Sequence, residues 1–222
     1  MADSWTERLW ADVAGVFAAI LAQPFITGLT DGSLDERRFA YYLAQDAHYL
    51  RDFARALAAV GAKAPSHRET AVFAGHAAQT ATVEVVLHES LLPELGFDPA
   101  TLAQIPMSPT TTAYTSYLVN VALSGSYPDG VAAVLPCFWI YQRVGDALLE
   151  RGSPDPRFQR WIDTYGGEAF AESVAGVLAI TDELGETLTE PARQRAAGHF
   201  RTAARYEWMF WDAAWRQEAW PI

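Results

Sequence analysis

The chain has 222 residues, half of them hydrophobic, 13% aromatic and 19% charged, a length and composition that suit one domain, over 1–222, folding around its own core. Acidic residues outnumber basic ones to a net charge of −11, which excludes a binding mode built on attraction to phosphate backbones or anionic lipid. Cys137 stands alone, so neither an internal disulfide nor a CxxC zinc site is open to it, and reducing cytoplasm is the expected home. Met1 to Trp10 carries Asp3 and Glu7 and lacks the basic-then-apolar layout of a secretory signal. The longest apolar windows, Val131 to Leu135 and Val174 to Leu178, fall far short of the ~20 residues that cross a bilayer, so a soluble protein is expected.

Gly and Pro collect in short clusters between long periodic stretches, the punctuation of helices. Trp5 to Leu21 spaces Leu9, Val13, Val16, Phe17 and Ile20 by threes and fours, which predicts an amphipathic helix ended near Pro24. Gln23 to Ser33 reads as loop. Leu34 to Val60 carries Phe39, Tyr42, Leu43, Asp46, Leu50 and Phe53 on one broad stripe. Ser66 and Glu69 have the spacing of a capping box, opening a helix through Val72, Phe73, Val83, Val86 and Leu87 to Pro93. A connector, Gly96 to Met107, precedes Ser108-Pro109, a cap and a first-turn proline for a helix that ends at Gly125. Asp129 to Leu149 is helical with Pro136 inside it, where a kink is expected. Pro156 to Tyr165, Glu168 to Leu184 and Glu190 to Trp215 complete about eight helices. With no sustained period-two pattern, the expected class is all-α, a bundle that takes many of its aromatic side chains inside.

Three residues could carry chemistry. Asp46 shares a helical face with Tyr42 and Tyr49, and a carboxylate facing a core either closes a buried polar network or waits for a ligand's donors. Cys137 follows Pro136 and has Tyr141 four residues on; it is either a packing residue or a nucleophile beside a stacking phenol. Glu207 lies among Tyr206, Trp208, Phe210 and Trp211. It is either a carboxylate at the edge of an aromatic core, paired to Arg201 or Arg205, or an acid whose apolar surroundings suit it to proton transfer near neutrality, with Tyr114 or Tyr117 as donors to it. The five histidines are dispersed, Glu84 and His88 make one E-x-x-x-H pair, and di-iron E-x-x-H pairs and phosphate-binding glycine loops are lacking, so no metal is expected.

Five blocks, in order, carry a family resemblance: Gly32 to Asp46 (GSLDERRFAYYLAQD), Pro109 to Thr115 (PTTTAYT), Leu135 to Tyr141 (LPCFWIY), Trp161 to Tyr165 (WIDTY) and Tyr206 to Asp212 (YEWMFWD). Together they resemble the TenA family, also called thiaminase II or aminopyrimidine aminohydrolase, in its cysteine-containing branch. The resemblance implies a haem-oxygenase-like helical fold without haem or other cofactor, a homotetramer, and hydrolysis of 4-amino-5-aminomethyl-2-methylpyrimidine to the hydroxymethylpyrimidine in thiamin salvage, with thiamin as a second substrate. It implies Cys137 as nucleophile, Glu207 as acid/base and Tyr114 as a phenol near both. Asp46 is implied to hold the aminopyrimidine, with Tyr49, Tyr141 and Tyr165 lining the site. The chain departs from the family pattern at Gln23, at Ala203-Ala204, at Trp215 and at Ala47, the last implying a roomier pocket. Two other readings stay open: the same fold acting on a different heteroaromatic amine, and a non-catalytic pyrimidine-binding or regulatory protein.

Overall fold

The computed structural model describes residues 4–96, 98 and 104–222, and the side chains of these residues apart from 81–90 and 92. Nine α-helices and no strand are found among the described residues: α1 Trp5–Leu21, α2 Pro24–Asp31, α3 Glu36–Ala62, α4 His67–Glu94, α5 Pro109–Ser124, α6 Tyr127–Leu149, α7 Pro156–Gly166, α8 Glu168–Thr187 and α9 Glu190–Arg216. The all-α expectation holds.

The helix starts are chemical. The Ser66 hydroxyl accepts from the Glu69 backbone N–H at 3.2 Å and donates to the Glu69 carboxylate at 2.8 Å, so Ser66 caps the helix as expected, with Glu69 meeting the cap through its hydroxyl. Ser108 accepts from the Thr111 N–H at 3.1 Å and opens α5 as its sequence predicts. Asp35 caps α3 through the N–H groups of Arg37 and Arg38, which starts that helix two residues later than the hydrophobic pattern suggests. Asp129 was expected at the edge of its helix; instead it sits inside the first turn of α6, where its carboxylate accepts from both the backbone and the hydroxyl of Ser126. In each case a short polar side chain takes up amide protons that the first turn leaves without partners.

One expected loop is a helix. Pro24 ends α1 but, with φ preset for the helical turn, also serves as a first-turn residue of α2, and Phe25, Ile26 and Leu29 are wholly buried on one side of it. Eight residues are too few to be helical by propensity, so burial of that apolar side stabilises α2. Gly32 closes it with φ +73°, a left-handed conformation that glycine adopts without strain.

α6 lies at the centre, packed against α3, α5, α7, α8 and α9. Its Val131–Leu135 run is fully buried, the all-round apolar surface expected of a helix with neighbours on every side. The helix continues through Pro136 to Leu149 as one element. Gly145 sets the distance between α6 and the end of α7, because a Cβ there would lie 2.5 Å from the Gly166 nitrogen. The consequence reaches one turn back along α6, where the Tyr141 and Tyr165 rings meet with centroids 4.9 Å apart. No single described helix is long and apolar enough to cross a membrane.

Candidate active site

Five helices enclose a cavity of about 270 Å³. α3 presents Asp46, Tyr49, Leu50 and Phe53, the threefold and fourfold spacing that keeps side chains on one helical face. α6 supplies Cys137, Phe138 and Tyr141 by the same rule, and α7 ends in Thr164 and Tyr165. α4 and α8 close the remaining sides with His76, Gln79 and Thr80 and with Ala169, Phe170 and Ser173. Asp46, Tyr49, Cys137, Tyr141 and Tyr165, singled out across more than a hundred residues of sequence, therefore face one space.

Glu207 stands behind that wall on α9, only 1% exposed. The Tyr114 hydroxyl donates to its carboxylate at 2.5 Å. Tyr114 itself is clamped between rings, Tyr206 stacked on it at 5.1 Å and Tyr49 at 5.1 Å. Of the two phenols considered as donors, Tyr117 goes elsewhere, pairing with His199 at 2.7 Å. The expected arginine partners do not reach Glu207 either: Arg201 holds Asp12 on the surface, and a fully buried carboxylate lies at no solvent edge.

Burial pushes the Glu207 carboxyl up from 4.5 to about 8, the charge of Asp46 adding to the effect and the Tyr114 bond offsetting part of it. Burial also pushes the Cys137 thiol well above its ordinary value; the Glu207 charge adds, and the nearby Tyr49 hydroxyl offsets a part. The buried site thus favours a neutral thiol and a neutral acid, unlike the electropositive settings that lower thiol pKa values. An arriving cation reverses this preference, because it would stabilise both anions in a space of low dielectric.

The Glu207 shift has a consequence for stability. A carboxyl held above its unfolded value stabilises the fold most below pH 4.5, and that contribution is lost as pH rises through about 8. At about 1.4 kcal/mol per unit, the loss is on the order of a few kcal/mol. Glu207→Gln, neutral at every pH and still able to accept from Tyr114, is expected to melt progressively higher than wild type between pH 5 and pH 9. A melting difference that stays constant over that range would contradict the assignment.

His76, Gln79, Thr80, Phe170 and Ser173 were not anticipated as part of the site. The i, i+3, i+4 spacing of His76, Gln79 and Thr80 was legible, but nothing local says that this face of α4 turns toward Cys137. Ala47 is not among the side chains that line the cavity. The other departures are structural: Gln23, Ala203 and Ala204 are buried, and Trp215 lies under the Arg38 guanidinium at 3.7 Å. The Glu84 and His88 side chains lie outside the described residues; elsewhere no three acid, His or Cys side chains converge as metal ligands.

The TENA/THI-4/PQQC family model matches residues 10–217, nearly the whole chain. The chain belongs to the TENA/THI-4/PQQC family. Among its relatives is the aminopyrimidine aminohydrolase of Bacillus subtilis, 37% identical over 89% of this chain and 84% of that protein. A TenA homologue from P. horikoshii OT3 superposes with a TM-score of 0.88 at 26% identity, covering 96% of this chain and 99% of the other. A Shewanella denitrificans domain of unknown function, described as haem-oxygenase-like, superposes at 0.77 with 18% identity over 98% and 94% of the two chains, a likeness of fold. The TenA-type architecture expected from the five sequence blocks is thus the architecture found.

Proposed function

We propose that this chain is a hydrolase of thiamin salvage that converts 4-amino-5-aminomethyl-2-methylpyrimidine to the hydroxymethylpyrimidine and ammonia, with thiamin as a second substrate. The observation that carries the reading is the convergence of Asp46, Tyr49, Cys137, Tyr141 and Tyr165 on one cavity backed by the buried Glu207–Tyr114 pair. Family membership and the relative named aminopyrimidine aminohydrolase support it.

In this reading the three charged or chargeable groups divide the work. Asp46 accepts hydrogen bonds from the exocyclic amino group and a protonated ring nitrogen, and Tyr49 and Tyr141 fix the ring plane. The fraction of Glu207 that is ionised near neutrality takes the Cys137 proton. The resulting thiolate adds to the electron-poor ring, and electron density moves out to the methylene carbon as its bond to nitrogen breaks. The same proton then passes from Glu207 to the departing amine, which leaves as ammonia. Water, deprotonated by the Glu207 carboxylate, attacks the methylene carbon; the ring–sulfur bond breaks and the proton returns to the thiolate. A carboxyl titrating near 8 suits both halves of this cycle.

Release of ammonia from the aminomethylpyrimidine, measured against an enzyme-free control, tests the proposal directly. Binding of the hydroxymethylpyrimidine without ammonia release would favour the non-catalytic reading, and release only from another heteroaromatic amine would favour the other. One domain, a cytoplasmic location in which the thiol stays reduced, and a homotetramer belong to the same proposal. Light scattering is expected to give a mass well above the 24.4 kDa of one chain.

A further inference from the structure

Behind the wall formed by Tyr141 and Tyr165 lies a buried hydroxyl that the proposed chemistry does not use. Tyr42, on α3 and four residues before Asp46, is wholly buried among Phe25, Phe39 and Phe210. A phenol oxygen in such apolar company is costly unless it is bonded. The Tyr42 oxygen lies 3.3 Å from Trp161 Nε1 and 3.3 Å from the Tyr141 hydroxyl.

The directions of these bonds follow from counting protons. An indole nitrogen only donates, so the Tyr42 oxygen accepts from Trp161. Burial holds the phenols of Tyr42, Tyr141 and Tyr165 well above their ordinary value, and each keeps its proton at neutral pH. With Trp161 donating to one of its lone pairs, Tyr42 satisfies its own proton by giving it to Tyr141, the acceptor in reach. The phenol that accepts it still has its own proton to give, and the open side of that phenol is the cavity.

We propose that Tyr42 is a positioning residue: accepting from Trp161 and donating to Tyr141, it makes the Tyr141 phenol a hydrogen-bond donor into the cavity it lines, set to meet an acceptor lone pair on the ligand. For an aminopyrimidine that acceptor is the ring nitrogen left unprotonated when Asp46 holds the other one. The inference rests on the aminopyrimidine reading. It adds the claim that recognition depends on a side chain that never touches the ligand.

Tyr42→Phe removes one oxygen and keeps the ring packing. Affinity for the hydroxymethylpyrimidine, read by calorimetry, is expected to weaken roughly 3- to 10-fold, the range of one net hydrogen bond. KM should rise by the same factor while kcat stays within about twofold. In a Tyr141→Phe background the further loss should vanish, since the phenol through which Tyr42 acts is gone. An equal loss in that background, or none in the wild-type background, overturns the proposal, because simple packing would act irrespective of the Tyr141 hydroxyl. Should Tyr42→Phe fail to fold, Trp161→Phe removes the donor that sets the Tyr42 proton and is expected to give a smaller loss with the same dependence on background. A wild-type protein that binds no aminopyrimidine would bring down the functional reading and this inference together, an outcome distinguishable from failure of the Tyr42 variants alone.

Discussion

Cys137→Ala and Glu207→Gln are each expected to abolish most turnover, and the double variant to lose little more than either alone. In the proposed cycle one proton travels from the thiol to the carboxylate and on to the leaving amine, so removing either group strands the other. Loss of the acid/base should cost on the order of 10²- to 10⁴-fold in kcat, and loss of the nucleophile at least as much. Because the two share a step, their effects should be far from multiplicative. Product binding should survive Cys137→Ser, since Asp46 and the aromatic walls remain. If Cys137 were only packing, truncation would cause a modest stability loss with near-normal turnover per folded molecule. Turnover, product affinity and melting temperature of both single variants and the double variant decide between these outcomes; independent, multiplicative rate losses would refute the shared step.

Asp46→Asn should keep the fold and lose the ligand. The carboxylate is 2% exposed on the cavity side of α3, and an amide of the same shape preserves packing while removing the negative charge that favours a protonated ring nitrogen. Breaking a charged pair in so dry a setting costs about 2–4 kcal/mol, so affinity for the aminopyrimidine should fall roughly 30- to 1,000-fold. The change has a second effect, on Glu207, whose carboxyl is held up in part by the charge of Asp46. Its titration should move down in the variant, and the pH profile of the residual rate should move with it. Wild-type affinity in Asp46→Asn would make Asp46 a structural residue, and an unmoved profile would show that the two carboxylates do not sense each other.

The sequence by itself determined the helical class, eight of the nine described helices and several of their first turns, because each of these depends on neighbours within four residues. Ser66 with Glu69, Ser108 before Pro109, and the stripe from Phe39 through Asp46 to Phe53 are local patterns, read with the helical period alone. It also marked Asp46, Cys137 and Glu207 as anomalies, since a carboxylate or thiol in an apolar stripe stands out against its surroundings. Tertiary structure decided the rest. Pro24–Asp31 is helical only because Phe25, Ile26 and Leu29 find a core to enter. Glu207 takes Tyr114 and not Tyr117, though both phenols lie on α5 and both meet α9, because the packing of the two helices brings the second phenol to His199, about two turns before Glu207 on α9. The Tyr42 hydroxyl meets Tyr141 and Trp161, and α4 and α8 close the cavity, through contacts between residues far apart in the chain. Helical period places a side chain on a face; which face it meets is set by how closely two backbones approach, as at Gly145 against Gly166, and that distance belongs to no single segment of the sequence.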